Sequence, residues 1–244
     1  MNTMKRVLML MMFALLVSNT FAVKLKTTGV TTTTSGQLKP FTQLEVNGVF
    51  SVELTSGENY SYTMMSDEVY KDNVMFVVEG NELCISLKRG VSIKDNSAPK
   101  IVVTVPSADI AKECEVEISG SSSFKMEDFK INTFILDVSG ASVATVKRVE
   151  SVTLEIDLSG TAKVNIAGYA DKCDIDISGV SVLNARDLDM KRGDVDISGV
   201  STVKIGKVSD ELDADVSGVS QLGYSGNPKK SNIKTRGVSN VEMY

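Results

Sequence analysis

The chain has 244 residues, with 26 basic and 31 acidic side chains, a formal charge of −5 and no histidine. This length allows a sizeable core in one large domain or two small ones. The acidic balance argues against a nucleic-acid-binding protein, and the absence of histidine removes the commonest metal ligand and general base.

Residues 1–22 have the pattern of an export signal. Lys5 and Arg6 precede an apolar run at 7–17, and small and polar residues follow as far as Ala22. A basic region, an apolar region of this length and a small final residue are typical of a cleaved signal peptide. The run is shorter than the roughly 20 apolar residues of a membrane span. We therefore expect an exported chain, in the periplasm or at the cell surface, with no membrane span after cleavage.

Removal of residues 1–22 would leave 24 basic and 31 acidic side chains and a formal charge of −7. Only three cysteines are present, and their wide spacing is not that of a disulfide framework. We expect Cys84, Cys114 and Cys173 to be small, buried apolar residues. A bridge between one pair of them is the alternative.

Residues 23–37 are rich in threonine and predict a mobile polar leader. Residues 38–110 follow as an irregular region of β-strands, with strand patterns at 41–54, 59–65, 73–78, 83–87 and 100–105. A short helical turn is predicted at 66–72. The residues around Gly48 resemble the repeats described next. This region is therefore either a diverged start of the repeat stack or a small sheet packed on its end.

Residues 111–244 carry a Ser-Gly repeat whose successive glycines are 20, 20, 19, 20, 19 and 19 residues apart. Apolar residues alternate with polar ones on both sides of each glycine, which predicts two strands per repeat. A repeat this short buries its apolar face only by stacking on copies of itself, so the pattern predicts an all-β, parallel β-solenoid with coils of 19–20 residues. An antiparallel sandwich is the alternative, but it would not require so even a period.

The glycines are predicted to form one corner of the solenoid, where a positive φ favours glycine. The serine before each glycine can cap backbone groups there, and the small residue two positions after it allows a tight turn. The predicted corner glycines are Gly120, Gly140, Gly160, Gly179, Gly199, Gly218 and Gly237.

An acidic residue lies three positions before most of these glycines. In a parallel stack these residues form a ladder with a spacing of about 4.8 Å, and neighbouring charges repel by ~1 kcal/mol in water. The ladder is interpreted as a solvated edge that prevents wrong strand pairing, or as a face that collects divalent cations or basic partners. The candidate residues are Glu117, Asp137, Asp157, Asp176, Asp196 and Asp215.

The series SGSSSF, SGASVA, SGTAKV, SGVSVL, SGVSTV and SGVSQL, after LEVNGVFSVEL, NELCISL and PKIVVTVPS, resembles the bacterial putative auto-transporter adhesin, head GIN domain family. The resemblance extends over residues 38–242. It implies an exported, β-solenoid-like protein without an established enzymatic activity. The family's label suggests adhesion, but it assigns that role to no residue of this sequence.

We therefore expect a non-enzymatic structural or binding module of the bacterial envelope, with no catalytic, cofactor or metal site. A cell-surface glycan and an envelope protein are both compatible partners, and self-association through the terminal coil is a further possibility. The alternative function is a polysaccharide-active β-helix enzyme, a lyase or a glycosidase. A few converging carboxylates with perturbed pKa values would favour that enzyme.

Overall fold

The computed structural model describes residues 23–93 and 97–244, so the export signal predicted at 1–22 lies outside the described residues. The described chain is nearly all β and forms a solenoid of about 7 turns with an irregular N-terminal part, which confirms the predicted fold class. The N-terminal strands are β1 (Val23–Lys24), β2 (Thr31–Gln37), β3 (Gln43–Gly48), β4 (Ser51–Ser56), β5 (Ser61–Asp67), β6 (Val74–Glu79), β7 (Glu82–Leu87), β8 (Val91–Ser92) and β9 (Lys100–Val105). The C-terminal strands are β10 (Glu113–Gly120), β11 (Ser123–Lys130), β12 (Thr133–Val138), β13 (Val143–Leu158), β14 (Lys163–Ile177), β15 (Val182–Ile197), β16 (Thr202–Val216), β17 (Gln221–Ser225), β18 (Lys230–Thr235) and β19 (Asn240–Met243).

Each coil of the C-terminal part lies on the next in parallel register, with equivalent residues opposite each other. Ile156 of β13, for example, pairs with Ile175 of β14. The long strands β13 to β16 each run through two faces of a coil, and their register shifts where the strand changes face. Since equivalent inward side chains stack directly, every coil adds a layer to one continuous apolar core.

The first coil of the chain is not the first coil of the stack. Strands β3 and β4 pair in parallel with β10 and β11 on one side, where Gly48 lies opposite Gly120. On the other side they pair in parallel with β7 and β9, which form the coil below. The N-terminal region therefore belongs to the solenoid, but its order in space differs from its order in the chain.

Antiparallel strands close the lower end of the stack. β6 pairs with β7, and β5 pairs with β9. The prediction of a mobile leader at 23–37 is wrong for Thr31–Gln37, which forms β2 and pairs with β5 along its whole length. Threonine is polar but β-branched, so it suits a half-exposed edge strand. The loop before β2 is held by Asp67, whose carboxylate accepts the N–H groups of Thr28 and Gly29.

Two short helical segments connect the N-terminal strands. A 3₁₀ turn at Glu68–Tyr70 lies within the segment where a helical turn was predicted. A four-residue helix, α1 (Ser107–Ile110), leads from β9 into β10. Among the described residues, no helix is long and apolar enough to cross a membrane.

All three cysteines are free thiols. Cys114 and Cys173 are buried and Cys84 is half-buried, so two of the three lie where the sequence placed them. Burial, with the nearby charge of Glu115, raises the pKa of Cys114 to about 12. Burial and the charge of Glu45 likewise raise the pKa of Cys84 to about 12. These thiols therefore stay protonated and unreactive at neutral pH.

Candidate functional site

The corner of the solenoid requires glycine for two reasons. All seven glycines predicted for it have a positive φ, and that of Gly199 is 85°. A Cβ added to Gly199 would also overlap the carbonyl oxygen of Gly179 in the coil below. The N–H of Val200 donates to that same oxygen at 2.8 Å. A side chain at this position would thus be strained in φ and would force two hydrogen-bonded coils apart.

Two serine columns tie the corner to the coil below. In five coils the serine before the glycine donates to a backbone carbonyl, as Ser198 does to Ile177 at 3.3 Å. The serine two residues after the glycine is buried, and Ser201 is typical of that column. Its hydroxyl accepts the N–H of Ser181 in the coil below at 3.5 Å, and it shares its one proton between the carbonyl oxygens of Ser198, at 3.3 Å in the same coil, and Gly179, at 3.5 Å in the coil below. Sequence reasoning explained this second column by small size alone and missed its hydrogen bonds.

A groove of about 810 Å³, here called the acidic groove, runs along the stack beside this corner. Its lining comes from the residues between three and one before each glycine, and it ends at Arg236. The carboxylates in the lining are the six candidates from the sequence: Glu117, Asp137, Asp157, Asp176, Asp196 and Asp215. The structure therefore brings every predicted ladder residue together on one surface.

The parallel register places each ladder residue opposite the next, from Glu117 to Asp215. The ladder also extends one coil further than expected, because Glu45 of β3 lies opposite Glu117. Glu45 was missed because it is 72 residues away in the chain, although it lies three before Gly48 as the column requires. At the other end Lys234 lies opposite Asp215.

Burial and repulsion raise the pKa of several ladder carboxylates. The pKa of Asp137 rises to about 7, chiefly through burial and then through the charge of Asp157. Its Oδ1 is buried and has no hydrogen-bond partner in the described chain. Burial, followed by the charge of Glu45, raises the pKa of Glu117. Burial, followed by the charge of Asp157, raises the pKa of Asp176.

The ladder is thus not a uniformly solvated edge. Asp157, Asp176 and Asp196 are exposed, whereas Glu117 and Asp137 are half-buried. The sequence pattern does not indicate this difference in burial between Glu117 and Asp137 and the exposed members of the ladder.

Within the described ranges, the one cation that reaches the six predicted carboxylates is the guanidinium of Arg236, 2.7 Å from Asp215. The carboxylates of the other five have no ion-pair partner in that part of the chain. Each therefore keeps oxygen lone pairs that a cationic ligand could use.

An exposed apolar column lies on the other side of the corner glycines. It consists of the residue directly after the glycine in the last four coils and is called here the valine ridge. Its members are more than half exposed: Val180 56%, Val200 54%, Val219 56% and Val238 77%. Sequence reasoning missed the valine ridge because it considered the strand positions that alternate between the core and the surface, whereas the ridge residues belong to the corner between two strands.

The arrangement favours binding of an elongated cationic group over chelation of a metal ion. Each coil offers one carboxylate to the groove, about 4.8 Å from the next. In the described part of the chain, no three His, Cys, Asp or Glu side chains converge as metal ligands would. Calcium needs 6–8 oxygens around one point, which a straight ladder does not provide.

The fold and this groove define a β-solenoid module with a continuous acidic surface. The model of the family described as putative auto-transporter adhesin, head GIN domain, matches residues 40–228. The chain therefore belongs to that family, as the sequence resemblance predicted. No curated protein matches it.

Solved structures of several bacterial proteins share the fold. A putative adhesin from Bacteroides fragilis NCTC 9343 is 16% identical with a TM-score of 0.81, over 91% of this chain and 100% of that one. A putative adhesin from Parabacteroides merdae ATCC 43184 is 19% identical with a TM-score of 0.69, over 91% and 99%. A putative lipid binding protein from Parabacteroides distasonis ATCC 8503 is 16% identical with a TM-score of 0.67, over 91% and 100%. At these identities the likeness concerns the fold alone.

Proposed function

We propose that this chain is an exported, non-enzymatic binding module of the bacterial envelope, and that the acidic groove and the valine ridge form its binding surface. The observation that carries the proposal is the continuity of the groove, which presents equivalent side chains from Glu117 to Arg236. The export pattern at 1–22 and the adhesin family support a location in the periplasm or at the cell surface.

Periodicity of the carboxylates supports a binding role over catalysis. Catalytic carboxylates usually differ from their neighbours in environment and lie in a cleft. Here coils of 19–20 residues leave no room for long loops that would wall such a cleft. Four of the five serine hydroxyls that line the groove also donate to backbone carbonyls, as Ser217 does to Ile197 at 3.1 Å. A hydroxyl held in this way is a poor nucleophile without a base beside it.

One observation favours the second candidate, a polysaccharide-active lyase or glycosidase. The pKa of Asp137, about 7, would suit a general acid, and the neighbouring Asp157 is exposed. A discriminating assay measures reducing ends and unsaturated products from acidic and neutral polysaccharides. Turnover that Asp137→Asn abolishes would establish the enzyme and overturn the non-enzymatic proposal.

The partner we propose for this surface is an envelope protein or a cell-surface glycan. One neighbour in fold is named as a putative lipid binding protein, but a row of carboxylates repels anionic headgroups. The aromatic side chains that commonly stack on sugar rings are absent from the groove lining. These features favour a protein partner over a lipid or a neutral glycan.

The test uses residues 23–244, immobilised, against a glycan array and against solubilised envelope proteins. A double variant, Asp176→Asn with Asp196→Asn, removes two exposed groove charges, and Asp187→Asn removes an exposed charge outside the groove lining. The proposal expects a ligand whose binding is lost in the double variant and kept in Asp187→Asn. Absence of any ligand in both screens, or a ligand that binds the double variant equally well, would contradict it.

A further inference from the structure

We infer that the valine ridge is a docking site for an extended, basic and partly apolar polypeptide segment, which lies along the solenoid axis with its cationic side chains in the acidic groove. This inference rests on the proposed function and names the chemistry of its partner. It starts from the ridge, because exposed apolar side chains are ordinary when scattered but indicate an interaction site when contiguous.

The ridge is contiguous because backbone hydrogen bonds hold its members in line. The N–H groups of Val180, Val200, Val219 and Val238 each donate to the corner glycine of the coil below at 2.7–2.8 Å. Neighbouring members are therefore separated by one coil spacing, about 4.8 Å. In the coils of Gly120, Gly140 and Gly160 the same position holds Ser121, Ala141 and Thr161, which separate Val49 after Gly48 from the contiguous apolar strip of the last four coils.

Charge decides which occupant fits. The ridge and the groove share the same corner, since only Gly179 separates Val180 from Ser178 of the groove lining. Asp176 and Asp196, in the coils of Val180 and Val200, have no ion-pair partner in the described chain. A partner that covers the ridge brings cations within reach of both carboxylates if it is basic. If it is acidic, it places like charges side by side at low dielectric.

A second copy of this chain is a poor occupant for the same reason. Residues 23–244 have a formal charge of −7, and a copy placed ridge to ridge would bring two carboxylate ladders together. The terminal coil, which the sequence suggested for self-association, is also a poor edge for pairing. Of its two outer strands, β18 carries Lys230 and Lys234 and β19 carries Glu242, and charged side chains on an edge strand oppose pairing with other chains.

The spacing of the coils suggests a probe for this inference. A polyproline II segment rises about 9.3 Å per three residues. Two coil spacings are about 9.6 Å. The dodecapeptide (Lys-Val-Pro)₄ therefore places one lysine and one valine at every second coil, on two adjacent faces of the segment. (Lys-Ser-Pro)₄ keeps the charges without the apolar side chains, and (Glu-Val-Pro)₄ reverses the charges.

Binding of each fluorescent peptide to residues 23–244 is measured by anisotropy at two NaCl concentrations. The protein variants are a triple Val180→Thr, Val200→Thr, Val219→Thr and a control, Val152→Thr, at a valine that is 50% exposed outside the ridge. Threonine keeps the β-branched shape, so the exposed strands and corners should remain folded. A circular dichroism melt checks that they do.

We expect (Lys-Val-Pro)₄ to bind, with an affinity that falls as NaCl rises. The triple variant should bind it about tenfold more weakly, and Val152→Thr should bind it unchanged. (Lys-Ser-Pro)₄ should also bind the wild-type chain about tenfold more weakly, and (Glu-Val-Pro)₄ should not bind.

Equal affinities for (Lys-Val-Pro)₄ and (Lys-Ser-Pro)₄, or no binding of either, would overturn the inference. Binding to phosphatidylcholine or phosphatidylglycerol vesicles that the triple variant loses would also overturn it, by assigning the ridge to lipid. If the peptides fail while Asp176→Asn with Asp196→Asn still abolishes binding of a glycan or envelope protein, the proposed function stands and this inference alone falls.

Discussion

Replacement of Asp137 by asparagine should remove a large part of the pH dependence of folding stability. Burial and the charge of Asp157 raise the pKa of Asp137 from its ordinary 3.8 to about 7 in the folded chain. The folded state therefore holds a proton that the unfolded chain releases near pH 4. The stability gained from this proton is complete below the unfolded pKa, and it is lost as the pH rises through the folded pKa of about 7.

The difference between pKa 3.8 and about 7 corresponds to about 4 kcal/mol over the whole titration. Roughly 2–3 kcal/mol of this loss falls between pH 5 and pH 8, because part of the unfolded-state titration is complete by pH 5. For a chain of this size, that loss lowers the Tm by roughly 5–10 °C. Glu117 and Asp176 also have raised pKa values, so they act in the same direction.

The assay is urea or thermal unfolding, followed by circular dichroism, at pH 5, 6, 7 and 8 and constant ionic strength. Asparagine mimics the protonated carboxyl, so Asp137→Asn should be more stable than the wild type by about 1–2 kcal/mol at pH 5 and by about 4 kcal/mol at pH 8. Asp187→Asn, at an exposed position outside the groove lining, is the matched control and should follow the wild-type curve. Parallel wild-type and Asp137→Asn curves across this range would refute the reasoning.

Three further changes test the corner and the ladder. Gly80→Ala should lower the free energy of unfolding by about 1 kcal/mol, and Gly199→Ala should lower it by more, because both glycines have a positive φ but only Gly199 contacts the coil below. Equal losses in urea melts would show that this contact is unimportant. By the same assay, Ser201→Ala should lower the free energy of unfolding by about 1 kcal/mol. Ala162→Ser should raise it by up to about 1 kcal/mol, because it restores the hydroxyl of that column. No change in either variant would show that these serine hydrogen bonds do not stabilise the fold. Millimolar calcium should leave the Tm as it is in chelator, since the ladder offers no convergent ligands in the described chain, and a clear rise would revive the divalent-cation hypothesis.

The regular part of the fold was predictable because its physics is local and repeated. Alternating apolar residues specify two strands, and a glycine every 19–20 residues specifies the corner between them. Seven repetitions of one pattern leave few ways to bury the apolar face other than stacking. The contact of Gly199 with Gly179 was not predictable, since it depends on how closely two backbones approach.

The lower end of the stack was less predictable because the alternation of apolar and polar residues identifies a strand but does not indicate which other strand it pairs with. Nothing local indicates that β3 and β4 lie between β10–β11 and β7–β9, although the likeness of Gly48 to the corner glycines was a signal. The strand Thr31–Gln37 was mistaken for a leader because its alternation is between half-exposed and exposed polar residues. Such an edge strand buries too little apolar surface to give a hydrophobic pattern.

The membership of the acidic groove was predictable, whereas its energetics were not. Position relative to the glycine identified six carboxylates, and the same rule applied at Gly48 would have added Glu45. The burial of Asp137 depends on neighbouring side chains in three dimensions, so the column pattern treats it like the exposed Asp196. The valine ridge was visible as three SGV triplets and one RGV triplet, but only the structure shows that these side chains point into solvent.

The repeat also limits how this surface can be selective. An exposed ion pair contributes about 0.2–1 kcal/mol, so a ligand that contacts one coil gains little. A ligand with groups spaced to match several coils adds such contacts in series, while it loses its translational and rotational freedom only once. In the binding module proposed above, the surface would therefore discriminate by the length, charge and period of a ligand more than by any single group.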